Sequence, residues 1–295
     1  MPNHLLKIQS KLCREIAKLI RYRPTSFPYI SGDGFRSIAD HIYDETSKCK
    51  AANIKAGNIV FLKTDMMKDW FVNVHPMIPE KYILITHNSD GIVGKNESMY
   101  IDNKIIRWYA QNNVYKHEKI TPIPIGVENK ALYMSGWMLL KLLNELRRQK
   151  METVNRILFG FNVNTNTTER TLALDTLRKC SSADEIMTRL NLKEYFQLLN
   201  QYRFVASPEG NGPDCHRTWE ALYLGTIPIV RNSPFMKSFT SLGLPIQIIE
   251  NWNTLETFGN IVLRVDTQQP KPRDMANALF MDYWINIINK NRTKH

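Results

Sequence analysis

Residues 202–230, YRFVASPEGNGPDCHRTWEALYLGTIPIV, gather side chains in an order that suits anion recognition. The apolar stretch Phe204-Val205-Ala206 gives way to Ser207-Pro208-Glu209-Gly210-Asn211-Gly212-Pro213, where two glycines let backbone come close to a ligand. Asp214 is a good N-cap for a helix over about 215–224. The first turn of such a helix carries partial positive charge and free N–H groups, which suit a phosphate. Arg217 lies in that turn, where a guanidinium can hold a diphosphate with two hydrogen bonds. Glu220 follows three residues later on the same face, and a carboxylate there can accept both hydrogen bonds of a ribose diol. Trp219, Leu222 and Tyr223 fall on other faces and suit packing, while Gly225 stops the helix before the strand Thr226–Val230. A G-x-G ahead of a helix is by itself also met in plain tight turns. Arg217 and Glu220 on one face favour a nucleoside-diphosphate site.

Such a segment needs strands to aim it, and the chain supplies them. Asn58–Lys63, Tyr82–Thr86 and Ile120–Ile125 read as short buried strands, the last made irregular by prolines. A helix is expected ahead of them from Phe35 to about Glu45, and helices between them, for example over Tyr100–Ala110. A long basic helix is expected over Trp137–Asn155. A second series follows: strand Arg156–Phe161, helices near 167–180 and 182–190, strand Arg203–Ala206, the helix near 215–224, strand Thr226–Val230 and strand Pro245–Ile249. A closing helix is expected over Arg273–Asn289. Near-continuous apolar strands alternating with helices argue for an α/β fold with parallel sheets covered on both faces. The expected domains are residues 1–140, residues 141–272, and a C-terminal helix and basic tail, 273–295, that packs back on the first. Ligands of open α/β sheets lie beyond the carboxyl ends of strands, where the Ser207–Pro213 loop falls.

The order strand, S-P-x-G, D-x-x-R-x-x-E-A, G-x-I-P resembles the donor-binding segment of exostosin-type glycosyltransferases. It is carried by Ser207, Pro208, Gly210, Asp214, Arg217, Glu220, Ala221, Gly225, Ile227, Pro228 and Ile229. A similar strand-loop-helix occurs in the α1,3-fucosyltransferase family. The resemblance covers residues 202–230; elsewhere the chain agrees with the family in layout alone. It implies a GT-B-like architecture, two Rossmann-like domains with mostly parallel sheets facing a cleft, the nucleotide being held by the C-terminal one. It implies inverting transfer from a nucleotide-sugar to a hydroxyl of a glycan or glycolipid acceptor, with UDP-sugars favoured and GDP-sugars used by the fucosyltransferase relatives. The matched positions imply Ser207, Pro208, Gly210, Asp214, Arg217 and Glu220 as donor contacts, and Glu209, Asn211, Gly212 and His216 beside them are further candidate donor contacts. Animal exostosins carry an N-terminal membrane anchor and are longer. This chain suits a small soluble member of bacterial or viral kind, acting in the cytoplasm.

No D-x-D occurs, so the carboxylate pair that typically holds a metal–diphosphate complex is absent and neither a metal nor another cofactor is expected. The leaving diphosphate then needs other partners, for which Arg217 and a helix end are candidates. Arg170, after Phe159-Gly160-Phe161-Asn162 and the polar run Asn164–Thr168, is a further candidate or a surface arginine. Inversion also needs a general base near the acceptor hydroxyl. Asp90, in Thr86-His87-Asn88-Ser89-Asp90-Gly91 after a strand, is the first choice. His87 could be base or sugar contact, and Asp33, in Ser31-Gly32-Asp33-Gly34, is third. Turn or N-cap duty is open for Asp33 and Asp90, as is a turn for Gly126-Val127-Glu128-Asn129.

The chain has 295 residues, 43% of them hydrophobic, enough to bury a core. Its net charge of +11 sits at residues 1–23, 141–156 and 290–295, while the remainder is balanced. Residues 4–22 read as an amphipathic helix, with Leu5, Ile8, Leu12, Ile16 and Leu19 opposite Lys7, Lys11, Arg14, Lys18 and Arg21. A packed helix with a solvated outer face and a peripheral contact with an anionic membrane are both open. A non-catalytic basic protein binding nucleic acid or an anionic membrane is the alternative to an enzyme. Against nucleic acid stand the lack of aromatic-interleaved basic strands, recognition-helix motifs and zinc spacing. The first strand lacks G-x-G-x-x-G, which argues against a dinucleotide oxidoreductase. Cys13, Cys49, Cys180 and Cys215 lie far apart without C-x-x-C, as expected of free thiols in a reducing compartment. No apolar run reaches the length of a transmembrane helix.

Overall fold

The computed structural model describes residues 23–130, 134–149, 152–255 and 277–292, together with Leu12 and Glu15. The amphipathic helix expected over 4–22, with its membrane contact, lies outside the described residues except at those two positions. The first residues of the expected closing helix, 273–276, lie outside them too. The fold is α/β. The chain divides into two units, Met1–Trp137 with Phe280–His295, and Met138–Leu279. Among the described residues, no helix is long and apolar enough to cross a membrane.

The first unit is built on β1 (His41–Tyr43), β2 (Ile59–Lys63), β3 (Tyr82–His87), β4 (Ile105–Ala110) and β5 (Ile120–Pro122), laid side by side in chain order. Every neighbouring pair is parallel. All six residues of β3 are buried. A central parallel strand is covered on both faces and therefore reads as an unbroken apolar run. Trp70, Trp108, Phe71 and Leu84 are among the residues that fill the core.

Two expectations fail here. The helix expected from Phe35 to Glu45 is α1 (Gly32–Ser37), which ends at Ile38. His41–Tyr43 instead pairs with Val60–Leu62, because Asp40 N–H donates to the Ile59 carbonyl while the Asp40 carboxylate accepts from Ile59 N–H. Tyr100–Ala110 is not a helix, since its second half is β4. The Asp102 side chain accepts from Lys104 N–H and turns the chain, and the β-branched and aromatic residues after it slot between β3 and β5.

The second unit carries β6 (Val154–Phe159), β7 (Ala183–Glu185), β8 (Tyr202–Ala206), β9 (Ile227–Arg231) and β10 (Gln247–Ile249), ordered β10-β9-β8-β6-β7 and parallel throughout. The chain moves outward from β6 to β7, then returns to the other side of β6 with β8. The strand order therefore reverses between β6 and β8, the position where such sheets bind ligands. Its helices include α2 (Met134–Arg147), across which the division between units falls, α3 (Thr167–Lys179), α4 (Leu192–Leu199), α5 (His216–Leu224) and α6 (Pro234–Ser241). Residues 183–185 form an edge strand where a helix over 182–190 was expected. Asp184 is pinned by two Arg156 hydrogen bonds of 2.7 Å and one from Tyr202 Oη at 3.0 Å. The long basic helix stops at Arg147, short of Asn155, because β6 begins at Val154. The closing helix α7 (Met281–Arg292) belongs to the first unit, where Met281 N–H donates to Pro28 O and Trp284 meets Phe35 edge-on.

Candidate functional site

In the second unit, two loops leave the sheet where its order reverses. One, Gly160–Asn166, follows β6 and leads into α3, whose N-cap Asn166 accepts from Glu169 N–H at 3.2 Å. The other, Ser207–Cys215, follows β8 and leads into α5, which closes on Gly225 in the left-handed region at φ 76°. Arg170 on α3 is 9% exposed and joins the loops. Its Nε donates to Glu209 O and its Nη1 to Asn162 O, both at 2.8 Å. Gly210 leaves room for that approach, since a Cβ there would fall 2.7 Å from Arg170 Nη2 and push the end of that side chain aside.

Arg217, in the first turn of α5, donates Nη2 to Gly160 O at 2.8 Å and Nε to Tyr195 Oη at 3.3 Å. Both guanidinium carbons lie 5.7 Å from the centre of the Phe161 ring. Among the described residues, the hydrogen bonds of these two cations go to carbonyl oxygens, a hydroxyl and the Cys215 sulfur, and none goes to a carboxylate. Burial, chiefly, lowers the Arg170 pKa, and the neighbouring Arg217 charge adds to that. Burial works against the Arg217 charge, but Tyr195, Cys215 and the Glu220 carboxylate outweigh it and raise its pKa, so that charge is partly met within the protein. Beside them lies a cavity of about 410 Å³ lined by Phe161, Ile186, Arg189, Leu190, Tyr195 and Arg217 among others.

The other expected donor contacts divide by role. Ser207 is buried, its hydroxyl 2.9 Å from that of Thr218, and the Pro208 carbonyl accepts from Arg170 Nη2 and the Cys215 thiol. Glu209 meets Arg231 at 3.2 Å, and burial raises its carboxyl pKa against that pull. Asn211 is exposed, and Gly212 accepts from Gly210 N–H. His216 and Glu220 are half-buried on α5, and the Glu220 charge acts on Tyr195. Asp214 is not the N-cap. That position belongs to Cys215, and the Asp214 carboxylate accepts from the Trp219 indole N–H, 2.9 and 3.0 Å from its two oxygens. Five residues of helix bring the buried indole back over Asp214, and satisfying that donor outweighs capping.

In the first unit, Asp33 and His87 lie around Asn88, at the carboxyl end of β3. Asp33 is 1% exposed and opens α1. His87 is also buried. Its Nε2 donates to Pro124 O at 3.1 Å and its Nδ1 accepts from Asn88 N–H at 2.7 Å. Asp90 is exposed, and its carbonyl accepts from Asn112 Nδ2 at 3.3 Å. Asn88 and Asn112 have φ of 61° and 53°, the left-handed region that asparagine tolerates better than most residues. Asn88, Phe161 and Tyr195 are not singled out as site residues by their sequence pattern, and Asn129 enters only as part of a turn. The phase of Asn88 beside His87 was a usable signal; the others are set by tertiary contacts. Among the described residues, no three His, Cys, Asp or Glu side chains are grouped to hold a metal ion.

No protein-family model matches this chain, and no curated protein matches it. A solved structure, the crystal structure of the GtfA/B complex, is similar over 82% of this chain with a TM-score of 0.41 and 11% sequence identity. This chain spans 59% of the length of that one.

Proposed function

We propose that this protein is an inverting, metal-independent glycosyltransferase that moves a sugar from a nucleoside-diphosphate donor to a hydroxyl of a glycan or glycolipid acceptor. UDP-sugars are the favoured donors and GDP-sugars the second choice. The carrying observation is the pair Arg170 and Arg217, whose guanidiniums flank Phe161 and have neutral hydrogen-bond partners. A diphosphate leaving group develops negative charge as its bond to the sugar breaks. Cations already fixed by backbone carbonyls need no reorganisation to meet it. The exostosin-like segment contributes Arg217 and Glu220, and the fold sets that segment at a sheet reversal, where nucleotides bind in related architectures. The adjoining cavity falls within the volume of small-molecule sites, about 300–1,000 Å³.

Thermal unfolding with UDP, GDP and their sugars tests this directly. A nucleoside diphosphate at a hundred times its Kd stabilises a protein by about 2.7 kcal/mol. A rise in Tm with one of them, followed by sugar transfer that survives chelation, is the expected result. No response to any nucleoside diphosphate or nucleotide-sugar would return the chain to the class of non-catalytic basic proteins.

A further inference from the structure

The cavity beside Arg217 belongs wholly to the second unit, at the carboxyl ends of β6 and β7. Gly160 and Phe161 reach it from the loop after β6, and Ile186, Thr188, Arg189 and Leu190 from the segment that joins β7 to α4. That segment is tied at both ends. Ile186 N–H donates to Phe159 O at 2.8 Å. Asn191 Oδ1 caps α4 by accepting from Glu194 N–H at 3.0 Å, and the Glu194 carboxylate accepts from Asn191 N–H at 2.8 Å. A Cβ on residue 160 would fall 2.8 Å from Ile186 Cβ, so Gly160 lets the segment lie directly against the β6 loop. The walls are therefore held by the fold itself.

The walls are apolar, and the polar groups between them are mostly donors. Phe161 and Tyr195 offer aromatic surface, Ile186 and Leu190 aliphatic surface. The Gly160 carbonyl is taken by Arg217 Nη2, and the Tyr195 oxygen accepts from Arg217 Nε. Burial, chiefly, raises the Tyr195 pKa, so the phenol keeps its proton and has it to donate. Arg189 is exposed and is engaged by no hydrogen bond or ion pair among the described residues. Arg156, Arg178 and Arg231 of the same unit, by contrast, are each bound to a carboxylate. No carboxylate, carboxamide or imidazole is among the lining side chains, which leaves the Thr188 hydroxyl as the unengaged side-chain acceptor.

We infer that this cavity seats the base of the donor nucleotide and that Arg189 makes it selective for uracil over bases that carry an exocyclic amino group. This rests on the glycosyltransferase reading above and deepens it. Uracil presents two carbonyl oxygens and one N–H. The Arg189 N–H groups suit a carbonyl, the Thr188 hydroxyl suffices for the N–H, and Arg217 is left to the diphosphate. Cytosine has an amino group where uracil has a carbonyl, and adenine and guanine carry one too. Turned toward guanidinium N–H groups, an amino group finds no acceptor, and donors on both sides go unsatisfied. A site built to hydrogen-bond one group discriminates against an analogue that lacks it far more than an apolar pocket does. The aromatic walls stack on any base and so add affinity without choosing among them. Arg189 lies outside residues 202–230, so the resemblance carried by that stretch assigns it no role.

The test is calorimetric titration of the full chain with UDP, CDP, GDP and ADP, for the wild type, Arg189→Ala and Arg189→Glu, beside transfer assays with the corresponding nucleotide-sugars. The wild type is expected to bind UDP at least about tenfold tighter than CDP. R189A is expected to bring that ratio near one with an unchanged Tm in the absence of nucleotide, because the replaced side chain is exposed. R189E exchanges donors for an acceptor and is expected to turn the ratio in favour of CDP. The ratio is the quantity read, since lost positive charge weakens every diphosphate alike. CDP, GDP or ADP bound by the wild type as tightly as UDP overturns the inference, and so does R189A with the wild-type ratio. If UDP binds with this selectivity and no sugar is transferred, the glycosyltransferase reading fails and the pocket stands. If sugar passes from a GDP- or CDP-sugar as readily as from a UDP-sugar, that reading stands and the inference falls. No binding of any of the four nucleotides removes both.

Discussion

Arg170 Nε donates to the Glu209 carbonyl oxygen at 2.8 Å, so one guanidinium holds the backbone of a loop 39 residues away. Its Nη1 holds Asn162 O in the same way, on the loop that precedes its own helix. Arg170→Ala removes both ties and one of the two cations of the proposed diphosphate site. Hydrogen bonds to charged groups contribute about 1.5–3 kcal/mol each, so affinity for a nucleoside diphosphate is expected to fall at least tenfold. Arg170→Lys keeps the charge and loses the fork, and is expected to bind between the two. Calorimetric titration with UDP and GDP checks this; equal affinity in all three proteins would remove Arg170 from the site.

Gly210 offers a gentler perturbation of the same guanidinium. In Gly210→Ala the new methyl meets Arg170 Nη2 at 2.7 Å, the movable end of a side chain. Residue 210 is not in the left-handed region, so the backbone itself tolerates alanine. The expected outcome is weaker nucleotide binding with Tm near that of the wild type. A large loss of Tm with intact affinity would show that the loop, and not the guanidinium, needs the glycine.

Asp214 separates a cap from a buried acceptor. Serine is as good an N-cap as aspartate, so Asp214→Ser would be nearly neutral were capping its role. Because the carboxylate accepts from Trp219 Nε1, shortening it leaves a fully buried indole N–H unsatisfied. Such a donor costs about 1–3 kcal/mol. Urea unfolding of D214S should show that loss, and a midpoint equal to the wild type would restore the capping assignment.

The same residue shows where sequence reasoning stops. The stretch from β8 to β9 was readable because its signals are local: an apolar strand, a glycine loop, nine helical residues and a glycine stop. Asp214 sits where a cap belongs in that pattern, and a contact with Trp219, invisible to capping rules, overrides it. The helix expected over Tyr100–Ala110 gives way to β4 because its apolar-rich second half fits either period, and pairing with β3 and β5 decides the matter. Asp33 N–H donates to Asn129 Oδ1, Asn129 Nδ2 to Asn88 Oδ1 and Asn88 Nδ2 to Asp33 Oδ1, linking residues 96, 41 and 55 positions apart, so no local spacing could reveal the contact.

The pH dependence of stability is expected to carry the signature of His75. Trp70 Nε1 donates to Tyr82 Oη at 3.1 Å, Tyr82 Oη lies 2.8 Å from His75 Nδ1, and His75 Nε2 lies 3.1 Å from Asp102 Oδ2. With the imidazole neutral every polar atom has a role: the hydroxyl donates to Nδ1, and Nε2–H donates to the carboxylate. Burial lowers the His75 pKa below its ordinary 6.5, outweighing the opposite pull of Asp102, and Lys104 adds to the lowering. The unfolded chain therefore binds a proton that the folded chain resists. Stability from this group is complete above about pH 6.5 and is lost as pH falls through the lower folded-state value. Acidification also forces a proton onto Nδ1, where the Tyr82 hydroxyl now donates. His75→Gln should lower stability at pH 7.5 and flatten the decline as pH falls below 6.5. Urea unfolding of both proteins across that range checks it, and parallel curves would place the acid sensitivity elsewhere.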